Sequence, residues 1–275
     1  MIDLHIHSKF SDGTDSIDDI IKIIKEKNIP AMALTDHDTT FGVAEMVEKA
    51  DKENIKVIPA VEISSVSNGH LIHILGYGID IYNTQLQHML NIICTYFNET
   101  FFEHYNWLFK NNILNFDVNK IIKFAAYKQS IALSDILKAM ILDGEPYTLK
   151  DWPEFLNNKV MHFQGHFKEN FPVHTSEAVE VITQAGGTAV FAHPARIGTA
   201  DIKEMEILLP HGLGGVEVYY PYHDKDLVER YESFSNKHNL IRTGGTDWHG
   251  KELTTWNAEI GDYGVSGIEK ISLLY

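Results

Sequence analysis

Cysteine and arginine are nearly missing from this sequence of 275 residues: Cys94 stands alone, and Arg196, Arg230 and Arg242 are the three arginines. A lone thiol cannot close an internal disulfide, and Cys94 lies inside a helical pattern, which marks it as a buried apolar side chain rather than a nucleophile. No stretch approaches the ~18 uncharged apolar residues of a membrane helix, and the opening MIDLHIHS lacks the basic-then-apolar layout of a signal peptide. The expectation is a cytoplasmic protein without a membrane partner. Positive charge is also short, 23 Lys plus Arg against 38 Asp plus Glu for a formal net charge of −15. That balance opposes capture of long nucleic acids, whose affinity comes mainly from phosphate neutralisation. A small phosphorylated substrate remains compatible if metal ions invert the local field.

What the sequence does have is histidine, 15 residues of it, in a chain 44% hydrophobic and 22% charged. The composition is that of a soluble globular protein, and the length fits one large domain or one domain with an insertion. There is no internal repeat or low-complexity segment, and nothing in the sequence sets an oligomeric state.

Short β-type runs alternate with helical patterns at both ends of the chain, which predicts an α/β fold on a largely parallel sheet. Seven strands are expected, at about 2–7, 31–35, 56–61, 71–77, 188–192, 215–220 and 240–245. Ser16 can cap a helix in which Ile17, Ile20, Ile21 and Ile24 form one apolar face. Further helices are expected at about 40–53, 175–185, 201–209 and 224–238, with Gly186 and Gly187 placed to end the second of these. Between 81 and 170 the rhythm changes to helical spacing alone (Leu86, Leu90, Ile93, Phe97, Phe101, Trp107, Leu108, then about 117–126 and 130–142). The expected organisation is therefore one α/β domain in two parts, 1–80 and 171–275, with a helical insertion over 81–170.

Histidine and carboxylate fall at particular places in this pattern. In a strand over 2–7, Ile2, Leu4 and Ile6 would pack outward on helices while His5 and His7, ~7 Å apart, would project together on the other face. An HxH pair alone also arises by accident. Here, however, Asp12, Asp36-His37-Asp38, Glu62, His73, His193, Asp247 and His249 each fall in, at or just beyond a predicted strand, mostly at the C-terminal ends where α/β folds gather their active-site loops. Mixed imidazole and carboxylate donors without thiolate suit Mn²⁺, Fe²⁺ or Zn²⁺ in a catalytic centre. Without Asp36 and Asp38, which flank His37, nine donors remain; they imply two or three ions, with Glu62 the natural bridge.

In order and spacing, HIHSKFSDG, LTDHDT, VEIS, HILGY, FAHP and GGTDWHG resemble the motifs of the PHP (polymerase and histidinol phosphatase) family of phosphoesterases. The likeness is strongest to its stand-alone bacterial branch, which includes nucleoside 3′,5′-bisphosphate phosphatases, and covers about 1–79 and 172–252. It implies a distorted (β/α)₇ barrel, similar to a TIM barrel, with a trinuclear metal site. His5, His7, Glu62 and Asp247 would hold the first ion, Asp12, His37 and His249 the second, and Glu62, His73 and His193 the third, Mn²⁺ being favoured. The expected nucleophile is a hydroxide on the metals, held by His5, His7, Asp12, His37, Glu62, Asp247 and His249.

Around this centre, Asp36 and Asp38 could orient imidazoles, and Asp38 could equally cap a helix. Arg196 is expected to bind phosphate, since its fork matches phosphate oxygens and the family has an arginine there. His223 resembles a family position near the substrate, the alternative being a solvent-exposed loop histidine. His70, His88, His104, His162, His166, His174, His211 and His238 match no motif and are expected to be structural or exposed. Nucleotide-cleaving relatives carry an RPH-type motif in the insertion, whereas this chain has Ser130 and Ala132 in Gln129-Ser130-Ile131-Ala132-Leu133, which removes a charged donor for a second phosphate. Lys128 or His166 could substitute. The activity implied is hydrolysis of a phosphomonoester of a small metabolite, a nucleoside 3′,5′-bisphosphate or a short oligonucleotide end among the candidates. The alternatives are a histidinol-phosphate phosphatase and a non-catalytic metal- or nucleotide-binding module.

Overall fold

The structure is a computed structural model that describes residues 1–148, 151–155, 170–251, 253 and 258–266. Six strands form one curled sheet in sequence order: β1 (Ala31–Leu34), β2 (Lys56–Ser67), β3 (His70–Tyr77), β4 (Thr188–Phe191), β5 (Leu213–Tyr219) and β6 (Ile241–Gly244). β1 with β2, β4 with β5, and β5 with β6 pair in parallel, but β3 runs against both of its neighbours. The largely parallel expectation fails there because β2 and β3 are joined by Asn68-Gly69, both at positive φ (46° and 75°), the two-residue turn that suits a twisted hairpin.

Residues 2–7 do not form a continuous strand; isolated bridges join Asp3 to Met32 of β1 and Ile6 to Trp248, just beyond β6. Ala33 and Thr35 donate to the carbonyls of Asp3 and Ile6 on one side, while Leu4 donates to Gly244 on the other. Acceptors three apart opposite donors two apart mean one extra residue, a bulge that interrupts alternation. Ile2 and Leu4 therefore sit inside the barrel with Ala31, Ala33, Ile58, Ala60, Leu75 and Val190, and only Ile6 packs outward with the helices, correcting the expectation for all three. With this stave the curled sheet closes as a distorted (β/α)₇ barrel.

The helices follow from local chemistry. α1 (Ile17–Glu26) begins at a capping box, the Ser16 hydroxyl accepting from the Asp19 amide and the Asp19 carboxylate from the Ser16 amide, and it buries Ile17, Ile20, Ile21 and Ile24. Each such isoleucine contributes about 1.5–3 kcal/mol of burial. α2 (Phe41–Asp51) joins α1 against β1. α3 (Thr84–Lys110) starts in the core that underlies β3 and β4, through Leu86, Leu90 and Ile93, and ends in a second one. That second cluster holds Phe101, Tyr105 and Leu108 together with α4 (Val118–Phe124), α5 (Ser134–Leu142) and α6 (Trp152–Phe155). The sheet resumes through α7 (Thr175–Gln184), ended by Gly186 at φ 81°, then α8 (Asp201–Leu208) and α9 (Lys225–His238). No helix among the described residues is long and apolar enough to cross a membrane.

Candidate metal centre

All nine histidines and carboxylates predicted as ligands converge on one end of the barrel, and Glu62 is their hub. Glu62 lies in the middle of β2, which runs on to Ser67 instead of ending at 61, so that its carboxylate is fully buried. One oxygen, Oε2, faces His5 Nε2 at 3.1 Å, His7 Nε2 at 3.2 Å and His37 Nδ1 at 3.3 Å. The other, Oε1, faces His73 Nδ1 at 3.1 Å and His193 Nε2 at 2.9 Å. His73 enters from the first half of the reversed strand β3, opposite Ser64, and not from a C-terminal strand end.

Three sets of donor atoms lie within 4.8 Å of one another: His5, His7, Glu62 and Asp247; His7, Asp12, His37 and His249; and His37, Glu62 and His73. The first is the set that the family resemblance implies. The second gains His7 and the third gains His37, while His193 joins through its own contact with Glu62.

Divalent metal ions fit these donors. Both ring nitrogens of His7 and Nδ1 of His37 are buried without a hydrogen bond, although carboxylate oxygens lie 3.1–3.6 Å from the His7 ring. Nitrogen and oxygen atoms that close but poorly aligned for proton sharing are arranged as they would be around a common cation. Charge accumulates accordingly. Burial opposes protonation of His7, yet the Asp247, Glu62 and Asp12 carboxylates outweigh it and raise that imidazole to about 9. Burial, assisted by the Arg196 charge, depresses His193 to about 3. Glu62 resists the upward push of burial and stays well below the carboxylate range because His37, His5 and His73 surround it.

Second contacts fix the rings. Glu217, missed from the sequence, is fully buried on β5; its Oε1 accepts from His5 Nδ1 at 2.8 Å, and its Oε2 accepts the His193 amide at 2.8 Å. The His5 Nδ1 proton thus leaves Nε2 as the lone pair directed at Glu62 and Asp247. His249 does the same by donating Nδ1–H to the Asp247 carbonyl at 2.8 Å, which leaves Nε2 3.2 Å from Asp12. His193 and Asp247 hold positive φ of 28° and 51°, conformations that cost non-glycine residues about 1–3 kcal/mol and persist where surrounding bonds impose them.

Three readings of the flanking residues change. Asp36 accepts from the Ser8 amide and hydroxyl, both at 2.7 Å, and from the Ser11 hydroxyl, so it anchors the 8–14 loop and not an imidazole. Asp38 accepts from the Ser64 amide and hydroxyl, burial raising it to about 6, and α2 has Thr40 as its N-cap. His223 is buried, not solvent-exposed: Nδ1 donates to the Val218 carbonyl at 2.8 Å and Nε2 has no hydrogen bond. Arg196 stands half exposed at the mouth, one end of its guanidinium donating to Asp247 Oδ2 at 2.7 Å and to the Tyr220 hydroxyl. Burial pushes the Cys94 thiol up to about 12, in keeping with an inert side chain.

The insertion residues sort differently. Lys128 is buried and its ammonium donates to Asp135, while His162 and His166 fall outside the described residues. Among the unmatched histidines, His174 caps α7 and His211 pairs with Glu180 at 2.7 Å, both structural uses. Lys138 of α5, also missed, donates from a buried ammonium to Asp12.

The chain is 27% identical over 256 residues to the phosphoribosyl 1,2-cyclic phosphate 1,2-diphosphodiesterase of Eggerthella lenta, covering 90% of this chain and 94% of that protein. It is 26% identical over 263 residues to the 3′,5′-nucleoside bisphosphate phosphatase of Chromobacterium violaceum, covering 90% and 87%. A crystal structure from Bifidobacterium adolescentis, described as a metal-dependent phosphoesterase, superposes with a TM-score of 0.83 over 99% of this chain and 94% of that one; at 21% identity this likeness speaks for the fold. The PHP domain matches residues 3–171, more than half of the chain, and with the candidate metal-binding side chains gathered at the barrel mouth the chain belongs to the PHP domain family of metal-dependent phosphoesterases.

Proposed function

We propose that this enzyme hydrolyses a phosphomonoester of a small metabolite carrying two phosphoryl groups, with a nucleoside 3′,5′-bisphosphate the leading candidate, at a centre of two or three divalent ions, Mn²⁺ first among them. The observation that carries the proposal is the convergence of three donor sets on the two oxygens of Glu62. Both relatives' names describe substrates with two phosphoryl groups, which supports the substrate class.

His5, His7, Glu62 and Asp247 would hold one ion, Asp12, His37 and His249 with His7 a second, and His73 and His193 with Glu62 a third. Bound divalent ions supply Lewis acidity, bringing the pKa of water toward neutrality and offsetting charge on phosphoryl and leaving oxygens. The protein's own groups do the positioning. Arg196 presents its fork to a phosphoryl oxygen, and its bond to Asp247 Oδ2 holds that fork at the mouth. Glu217 keeps His5 in the tautomer that offers Nε2 inward. The His223 Nε2 lone pair, close behind Tyr220, is an acceptor for a substrate hydroxyl. Helices within 81–170 act as the cap over the leaving group.

Manganese-loaded protein should release phosphate from adenosine 3′,5′-bisphosphate in a panel that also holds a 5′-phosphorylated dinucleotide and histidinol phosphate. Release from histidinol phosphate alone would reassign the substrate, and a fully metallated protein inert on every member would end the hydrolase reading. Glu217→Gln should lower both Mn²⁺ affinity and kcat/KM by about 10–100-fold while the melting temperature stays within a few degrees. Wild-type affinity in that variant would remove Glu217 from the site.

A further inference from the structure

α5 delivers one charge to the barrel mouth that none of the family motifs contains. Lys138 stands in the apolar run ILKAMIL and is buried, and its ammonium donates to Asp12 Oδ2. The other oxygen of the same carboxylate lies 3.2 Å from His249 Nε2 and 3.6 Å from His7 Nδ1. Asp12 is thus shared between an ion pair with the insertion and the donor set of His7, Asp12, His37 and His249. The neighbouring Lys128 is differently committed: it pairs with Asp135 Oδ1, whose Oδ2 accepts the Ala132 amide at 2.8 Å, and it lies 4.4 Å over the Phe124 ring. Asp135 is therefore spoken for, and Lys138 reaches across to the barrel for its counter-charge.

The Lys138 ammonium and a divalent ion on one mostly buried carboxylate repel each other more than they would in open water, because screening there is weak, and one carboxylate offsets only a single positive charge. An anion placed between them reverses the sign. A phosphoryl dianion has oxygens enough to accept from an ammonium on one side while facing a divalent ion on the other. We propose that Lys138 couples occupancy of the His7, Asp12, His37 and His249 cluster to phosphate: its ammonium opposes the divalent ion when the site holds no anion, and transfers from Asp12 to a phosphoryl oxygen when it does. The proposal rests on reading that cluster as a metal site. It makes Lys138 a positioning and specificity residue supplied by the same insertion in which Ser130 and Ala132 stand in place of the RPH-type motif. Binding linkage then requires that the ion tighten phosphate by the factor that phosphate tightens the ion.

The test is Mn²⁺ binding to the full chain, with free Mn²⁺ measured by electron paramagnetic resonance, in the presence and absence of inorganic phosphate. For the wild type, phosphate should tighten the weakest-bound Mn²⁺ by about tenfold. Lys138→Met, which keeps the length of the stem and deletes the charge, should bind that ion about tenfold more tightly without phosphate and show little further gain with it. Lys138→Arg, which keeps the charge, should retain the phosphate effect, and Lys138→Gln replaces the methionine variant if the latter does not fold. Equal Mn²⁺ affinities for wild type and Lys138→Met under both conditions would overturn the role of Lys138 alone. A wild-type protein that takes up no Mn²⁺ would overturn the metal-site reading beneath it.

Discussion

Replacing Glu62 by Gln is expected to abolish turnover, with a fall in kcat/KM on the order of a thousandfold or more. Five imidazoles approach the two oxygens of this one side chain within 2.9–3.3 Å, and it is fully buried. The substitution keeps the shape but removes the negative charge and turns one acceptor into a donor, so His5, His7 and His37, or else His73 and His193, would meet an N–H where they now meet oxygen. Breaking a buried charge cluster by taking one partner costs about 3–5 kcal/mol, which is two to four orders of magnitude in a rate or binding constant. Metal content and rate should therefore fall together. His5→Ala and Asp247→Ala should behave alike, since both belong to the set that includes Glu62. A Glu62→Gln protein with full metal content and normal turnover would show that the hub is structural.

The residues that converge on Glu62 were legible because the chemistry that would select them also marks the sequence. Histidines and carboxylates at the ends of apolar runs have few structural uses, and so many at corresponding places in one fold restrict the reading. Residues whose work is to hold other residues left a weaker mark. Glu217 lies between Val216 and Val218, which pack outward, so the period of two in the strand places a carboxylate inside the barrel; that misplaced charge was the available signal. Lys138 is a similar case, a lysine in the middle of an apolar helical run. Neither could be given a partner from the sequence, because Glu217 meets His5 across 212 residues and Lys138 meets Asp12 across 126.

The errors in the fold have equally local causes. Asn68-Gly69 between two apolar runs is a hairpin signal, and missing it left β2 too short and the antiparallel course of β3 unforeseen. The bulge within residues 2–7 had no signal of its own. Its cause lies elsewhere in the chain: Asp3 accepts from the Thr246 amide and hydroxyl and from the Gly261 amide, and His5 donates its own amide to Asp3 rather than to a ladder. Sequence alternation predicts that His5 and His7 share a face; the bonds that bring them to Glu62 are contributed by the far end of the polypeptide.

That dependence makes a single added methyl group costly at Gly245. A Cβ on Gly245 would fall 2.5 Å from both the Cβ and the amide nitrogen of His5, and 2.8 Å from Asp3 Oδ1. Two of these neighbours are backbone or backbone-fixed atoms, so no rotamer change relieves the clash, and the first stave must move away from β6. Gly245→Ala should therefore lose about 1–3 kcal/mol, the range for overpacking a dense interior, lowering the melting temperature by several degrees. The movement carries His5 with it. A misplacement of about 1 Å in a positioned catalytic group costs on the order of a hundredfold, so activity should fall well beyond what the lost stability explains at a temperature where the variant is still folded. Gly69→Ala is the matched control: its φ of 75° is unfavourable for alanine, but a Cβ there meets no atom within 4 Å and the turn lies away from His5. It should lower stability by about 1 kcal/mol and leave kcat/KM unchanged. If Gly245→Ala melts and turns over like the wild type, the close approach of Gly245 to residues 3–5 does not set the position of His5.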